Sequence, residues 1–136
     1  MAQNLRWTYK MSPEPLKRIL LVEDDADIQE AMYELLVEEG FQVRAANNGA
    51  EALQRLSDDS FRPELILLDL MMPVMDGRTF RDKQLANPLY CTIPVVVISA
   101  DRNAKEKSVQ MQAAGFLAKP VNLEDLLSTL ASLGAR

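Results

Sequence analysis

The chain has 136 residues, 48% of them hydrophobic and 26% charged, and a formal net charge of −5: one domain's worth of ordinary globular composition, long enough to bury a core. The acidic balance and the lack of any Lys/Arg-rich run argue against nucleic acid; no apolar run approaches the roughly 20 residues of a membrane span and no signal-peptide core is present, so the cytoplasm is the expected location. One cysteine, Cys91, excludes an internal disulfide, and the absence of histidine excludes the usual zinc sites and any Ser-His or Cys-His catalytic pair.

Residues 1–16 mix Gln, Asn, Arg, Trp7, Tyr9 and two prolines without any period, and read as a mobile leader outside a domain spanning residues 17–136. From Lys17 the pattern sharpens. Arg18-Ile19-Leu20-Leu21-Val22 is a buried strand, and it runs straight into Glu23-Asp24-Asp25. Asp27 to Glu39 places Ile28, Ala31, Met32, Leu35 and Leu36 at helical spacing before Gly40, with Asp25 as the expected helix cap. Phe41 to Ala45 alternates like an edge strand, Asn47-Asn48-Gly49 is a turn, and Ala50, Ala52, Leu53 and Leu56 make a short second helix.

Leu65-Ile66-Leu67-Leu68 is the most apolar strand, and it ends in a carboxylate, Asp69. Pro73 and Gly77 force a turn just beyond, which leaves Asp69 at the C-terminal mouth of its strand. A helix from about Arg78 to Ala86 stops before Pro88, and a fourth strand, Ile93 to Ile98, leads into Ser99-Ala100-Asp101. Lys105 to Ala114 predicts a weak helix with a poor stripe of Val109, Met111 and Ala113. Phe116 to Lys119 is a short fifth strand before Pro120, and Asn122 caps a last helix whose apolar face is Leu123, Leu126, Leu127, Leu130 and Leu133.

Strands alternating with helices five times predict a parallel sheet covered on both faces. In such a sheet the strand C-termini share one edge, where ligands bind. Glu23 and Asp24, Asp69, Ser99 and Lys119 all arrive there. Three gathered carboxylates repel one another unless a cation joins them, and hard oxygen ligands suit Mg²⁺, which points onward to phosphate.

The Glu23-Asp24 pair, Asp69 followed by Met71-Met72-Pro73 and Gly77, Ser99-Ala100 and Lys119-Pro120 together resemble the receiver domain of two-component response regulators, over about Lys17 to Leu133. The resemblance implies a flavodoxin-like, doubly wound α/β fold with five parallel strands in the order 2-1-3-4-5. It implies that Asp69 is a phosphoacceptor and that Asp24, Asp69 and the Met71 carbonyl hold Mg²⁺, with Glu23 acting through water. Lys119 is then expected to pair with Asp69 and afterwards with a phosphoryl oxygen, while the Ser99 hydroxyl and the Ala100 N–H bind others. Ser99 and Phe116 are the implied switch residues. Phe116 stands where the family often has Tyr, so any switch there rests on packing. The stretch between Ser99 and Lys119 is short for the family, which predicts an abbreviated or irregular fourth helix. Met71 and Asp101 each lie two positions beyond a site residue, where they flank the path of attacking water.

The implied function is phosphoryl acceptance from a histidine kinase or phosphotransfer protein and signalling to a downstream protein, with no turnover chemistry beyond the domain's own phosphorylation and dephosphorylation. The chain reads as a stand-alone receiver or one excised from a longer protein. Two alternatives stay open: a phosphorylation-independent scaffold of the same fold, and a Mg²⁺-dependent aspartyl phosphatase. The second lacks the acid usually found two residues after such a nucleophile, since Met71 stands there.

Overall fold

The computed structural model describes residues 17–134. The leader, with Trp7 and Tyr9, lies outside the described residues. The elements run β1 (Arg18–Val22), α1 (Ala26–Glu38), β2 (Gln42–Ala46), α2 (Gly49–Leu56), β3 (Leu65–Asp69), α3 (Gly77–Ala86), β4 (Val95–Ser99), α4 (Ala104–Gln110), β5 (Gly115–Ala118) and α5 (Leu123–Ser132). All strand pairings are parallel, and the sheet order is β2-β1-β3-β4-β5.

Successive strand residues point to opposite faces of a sheet, and the aliphatic runs use both. Ile19, Leu21, Leu65 and Leu67 pack with Met32 and Leu36 of α1 and Leu126 and Leu130 of α5. Leu20, Val22, Ile66 and Leu68 pack on the other side with Ala52 and Leu56 of α2 and Phe80 of α3. A strand with one wet face could not be apolar at every position, which is why these segments become the buried centre of the sheet.

Local polar groups set the helix starts. Asp25 Oδ1 accepts from the amides of Asp27 and Ile28 at 2.9 and 3.1 Å, and Asn122 Oδ1 accepts from those of Glu124 and Asp125 at 2.8 and 3.3 Å. Both match the expected caps. Gly40 closes α1 with a φ of 97°, a left-handed conformation that costs glycine nothing. Pro94 lies just ahead of β4, where it contributes only its carbonyl, to Ile66 N at 3.0 Å.

Three predicted apolar faces need correction. Helix α4 is only seven residues long and stops at Gln110, because Gln112 turns the chain with a φ of 56°; Val109 is 72% exposed rather than core. Leu123 sits in the first turn of α5 at 39% exposure, and Ala31 of α1 is exposed, about 100° around the helix from the buried Met32. The predicted strand from Phe41 begins one residue later, with Phe41 itself buried as its flank.

Candidate functional site

The strand order decides the composition of the site. Strands β1, β3, β4 and β5 are consecutive neighbours, so the residues at and just beyond their C-terminal ends meet at one edge. Glu23 continues β1 and bonds through its amide to Ala46 O at 3.0 Å, and Lys119 continues β5 and bonds through its amide to Ser99 O at 3.0 Å. Asp69 is the last residue of β3 and Ser99 the last of β4. Lys119 enters Pro120 through a cis peptide bond.

Glu23, Asp24, Asp69, Met71, Ser99, Ala100 and Lys119 line a single open cleft of about 590 Å³. Seven of the eight residues singled out from the sequence are thus brought together. The eighth, Phe116, is not among them: it is half-buried on β5 and lines a separate cavity of about 470 Å³ with Lys105 and Thr129.

Inside the cleft, one carboxylate oxygen each from Glu23, Asp24 and Asp69 lies within 4.8 Å of the other two. Glu23 and Asp69 are 1% and 4% exposed, whereas Asp24 faces solvent. Lys119 Nζ answers the two buried acids, at 2.7 Å from Glu23 Oε1 and 3.5 Å from Asp69 Oδ2. The expected pairing of Lys119 with Asp69 is therefore shared, and Glu23 is the nearer partner. Glu23 is the more deeply buried acid and has the greater need of a cation.

Among the described residues, the Lys119 ammonium is the one partner of the buried Glu23 Oε1. Three converging hard oxygens fit a small divalent cation. Burial first, and then the Glu23 charge, push Asp69 up to about 7 from an ordinary 3.8, against the pull of Lys119. Burial would lower the Lys119 ammonium, but Glu23 and Asp69 outweigh it and hold it above its ordinary value.

The loop after β3 is folded tightly against Asp69. The amide of Met71 bonds Asp69 Oδ1 at 3.3 Å, and the amide of Gly77 returns to Leu70 O at 3.0 Å. Only glycine fits at position 77, because a Cβ would run into the Asp69 carbonyl oxygen and come within 2.9 Å of Leu70 Cα. Met71 stands 65% exposed at the rim. Across the cleft, Ser99 Oγ accepts from the amide of Asp101 at 3.1 Å, which leaves its own proton free to donate.

Sequence reasoning missed one support of this site. Gln29 Nε2 reaches Glu23 O at 2.8 Å, Asn47 Oδ1 at 3.0 Å and Ala46 O at 3.3 Å, tying the loops after β1 and β2 together. Its signal was available: Gln29, Met32 and Leu36 share helical spacing, so a polar side chain stands in line with the buried stripe. Asp101, expected beside the path of attacking water, does line the cleft. Its carboxylate is occupied by Lys107 Nζ at 2.6 Å and by the Asn103 amide at 2.9 Å, and these bonds hold it below the usual carboxylate range.

A family model described as the response regulator receiver domain matches residues 19–131. The chain is 36% identical over 121 residues to a probable transcriptional regulator, ycf29, of Pyropia yezoensis, covering 88% of this chain and 54% of that protein. It is 34% identical over 121 residues to response regulator MprA of Mycobacterium leprae, covering 85% and 50%. The chain spans about half the length of the curated relatives it matches. Among solved structures, the chemotaxis response regulator CheY4 of Vibrio cholerae is similar with a TM-score of 0.77 at 29% identity, over 87% of this chain and 98% of that one. A response regulator receiver protein from Pseudomonas putida reaches 0.79 at 25% identity, over 88% and 99%.

Proposed function

Because this chain belongs to the family of response regulator receiver domains, a family of signalling modules, we propose that Asp69 is its phosphoacceptor. The observation that carries the reading is the buried Asp69 carboxylate with Lys119 Nζ 3.5 Å away and two further acids beside it. An Asp69 oxygen forms the new bond to phosphorus as the bond from phosphorus to a donor histidine nitrogen breaks. The electron pair of that bond returns to the imidazole. A carboxylate is a weak nucleophile, so positioning and charge neutralisation supply the rate.

Asp24, Asp69 and the Met71 carbonyl would hold Mg²⁺, with Glu23 acting through water, and the bound cation would neutralise the crowded acids and the incoming phosphoryl oxygens. Lys119 takes up a phosphoryl oxygen, and the Ser99 hydroxyl and Ala100 N–H take the others. To reach it, Ser99 gives up the bond from the Asp101 amide, which moves the loop after β4 and biases the surface around Phe116, α4 and β5. Asp101, tied to Lys107, is not free to act as a base toward water, while Met71 shields the acyl phosphate.

The donor is a histidine kinase or phosphotransfer protein and the output is a protein contact, with no activity beyond the domain's own phosphorylation and dephosphorylation. A cytoplasmic setting agrees with the absence, among the described residues, of a helix able to cross a membrane. The test is acetyl phosphate with Mg²⁺ followed by intact-mass measurement. One added phosphoryl group on the wild type and none on Asp69→Asn is the expected result, and no adduct on either would leave the scaffold reading in its place.

A further inference from the structure

Helix α3 buries an arginine. Arg81 is 5% exposed and Gln84 fully buried, on the face that also carries Gly77 and Phe80. No carboxylate pairs with Arg81 among the described residues. Instead Nε donates to Met111 O at 3.0 Å, Nη2 to Gln112 O at 3.0 Å, and Nη1 to Gln84 Oε1 at 2.7 Å. Gln84 Nε2 in turn donates to Tyr90 O at 2.9 Å and Ile93 O at 3.0 Å. The guanidinium thus donates to two backbone carbonyls and to Gln84, Gln84 donates to two further carbonyls, and neither side chain lines the acidic cleft.

Burying a guanidinium without an anion is costly unless its hydrogen bonds are met. Here one is met by Gln84 and two by the carbonyls of Met111, the C-cap of α4, and Gln112 just beyond it, near the helix end that carries partial negative charge and favours a cation. The opposite end of α4 is held differently. Asn103 makes no side-chain cap, and the ion pair between Lys107 and Asp101 is 43% and 21% exposed at its two side chains. The helix is two turns long, clamped by buried charge-assisted bonds at its C-terminus and by a wet ion pair at its N-terminus.

We propose that the Arg81–Gln84 network is the pivot of α4: it fixes Met111 and Gln112 against α3, so that a displacement starting at Ser99 tilts the N-terminal end of the helix and leaves its C-terminal end in place. The pivot itself rests on geometry alone, and its part in signalling rests on the phosphoacceptor reading of Asp69.

Amide exchange followed by NMR on the full chain tests both. The amides of Asp101, Asn103 and Lys107 report the N-terminal end, bonded to Ser99 Oγ, Asp101 Oδ1 and Asn103 O; those of Met111, Gln112 and Ala113 report the other, bonded to Lys107 O, Val109 O and Ser108 O. Without ligand, Arg81→Lys, which keeps the charge but loses the fork, should speed exchange at Met111 to Ala113 at least about tenfold and leave the first trio within about twofold. Asp101→Ala should do the reverse. Equal change at both ends in either variant overturns the pivot. With Mg²⁺ and beryllofluoride, the wild type should change at Asp101, Asn103 and Lys107 only, and Arg81→Lys should spread the change to Met111 to Ala113. A wild-type change spread over both trios overturns the signalling role. A ligand-free result as expected, with no beryllofluoride response at Asp69, overturns the phosphoacceptor reading and the signalling role together while the pivot stands.

Discussion

Replacing Asp69 with asparagine should stabilise the metal-free protein at alkaline pH. The carboxylate is 4% exposed and faces a second buried acid, and together burial and that charge move it from 3.8 to about 7. A displacement of that size corresponds to a ceiling of about 4 kcal/mol. Asparagine forgoes the attraction to Lys119, which remains paired with Glu23 at 2.7 Å, so about 2 kcal/mol is expected, or roughly 6–10 °C in melting temperature. The sign comes from linkage. The folded protein holds the Asp69 proton more tightly than the unfolded chain does, so this group's contribution to stability is intact below 3.8 and is lost as pH rises through about 7. The advantage of Asp69→Asn should therefore be near zero at about pH 4 and full at about pH 8, by urea unfolding of both proteins in EDTA. A difference that does not change between those pH values, or a variant less stable than wild type at the higher one, would refute the reasoning.

Magnesium should stabilise the wild type by about 1.4 kcal/mol at tenfold excess over its dissociation constant, and Asp24→Asn should abolish most of that gain in thermal melts at matched ionic strength. Gly77→Ala forces a methyl group into the Asp69 carbonyl and should cost about 2 kcal/mol, with slower labelling by acetyl phosphate because Asp69 shifts; wild-type stability and labelling rate would contradict this. Val74, 86% exposed with a φ of 70°, spans a tight turn in which Met75 N bonds Pro73 O at 2.8 Å. Val74→Gly should relieve that strain and raise stability by about 0.5–1 kcal/mol in denaturant titrations.

The strands, the helix caps and the polar residues of the cleft were legible in the linear chain because each is written locally. Four aliphatic residues before Asp69 require a strand with two dry faces, Asp25 and Asn122 sit where a helix start needs an acceptor, and a carboxylate at the end of a buried strand has only the sheet edge to occupy. The family resemblance added the strand order and the roles. What the linear pattern could not contain is which charge meets which across the fold. Lys119 lies nearer to Glu23 than to Asp69, and Asp101 is captured by Lys107 one helix turn into α4. On α3, Arg81 and Gln84 occupy the spacing of a core stripe that periodicity would fill with apolar residues. They are tolerated inside because carbonyls of Met111 and Gln112, some thirty positions away, arrive within hydrogen-bonding distance. Burial of a polar group is decided by whether partners are present in space, and for these residues only the assembled sheet and helices supply them.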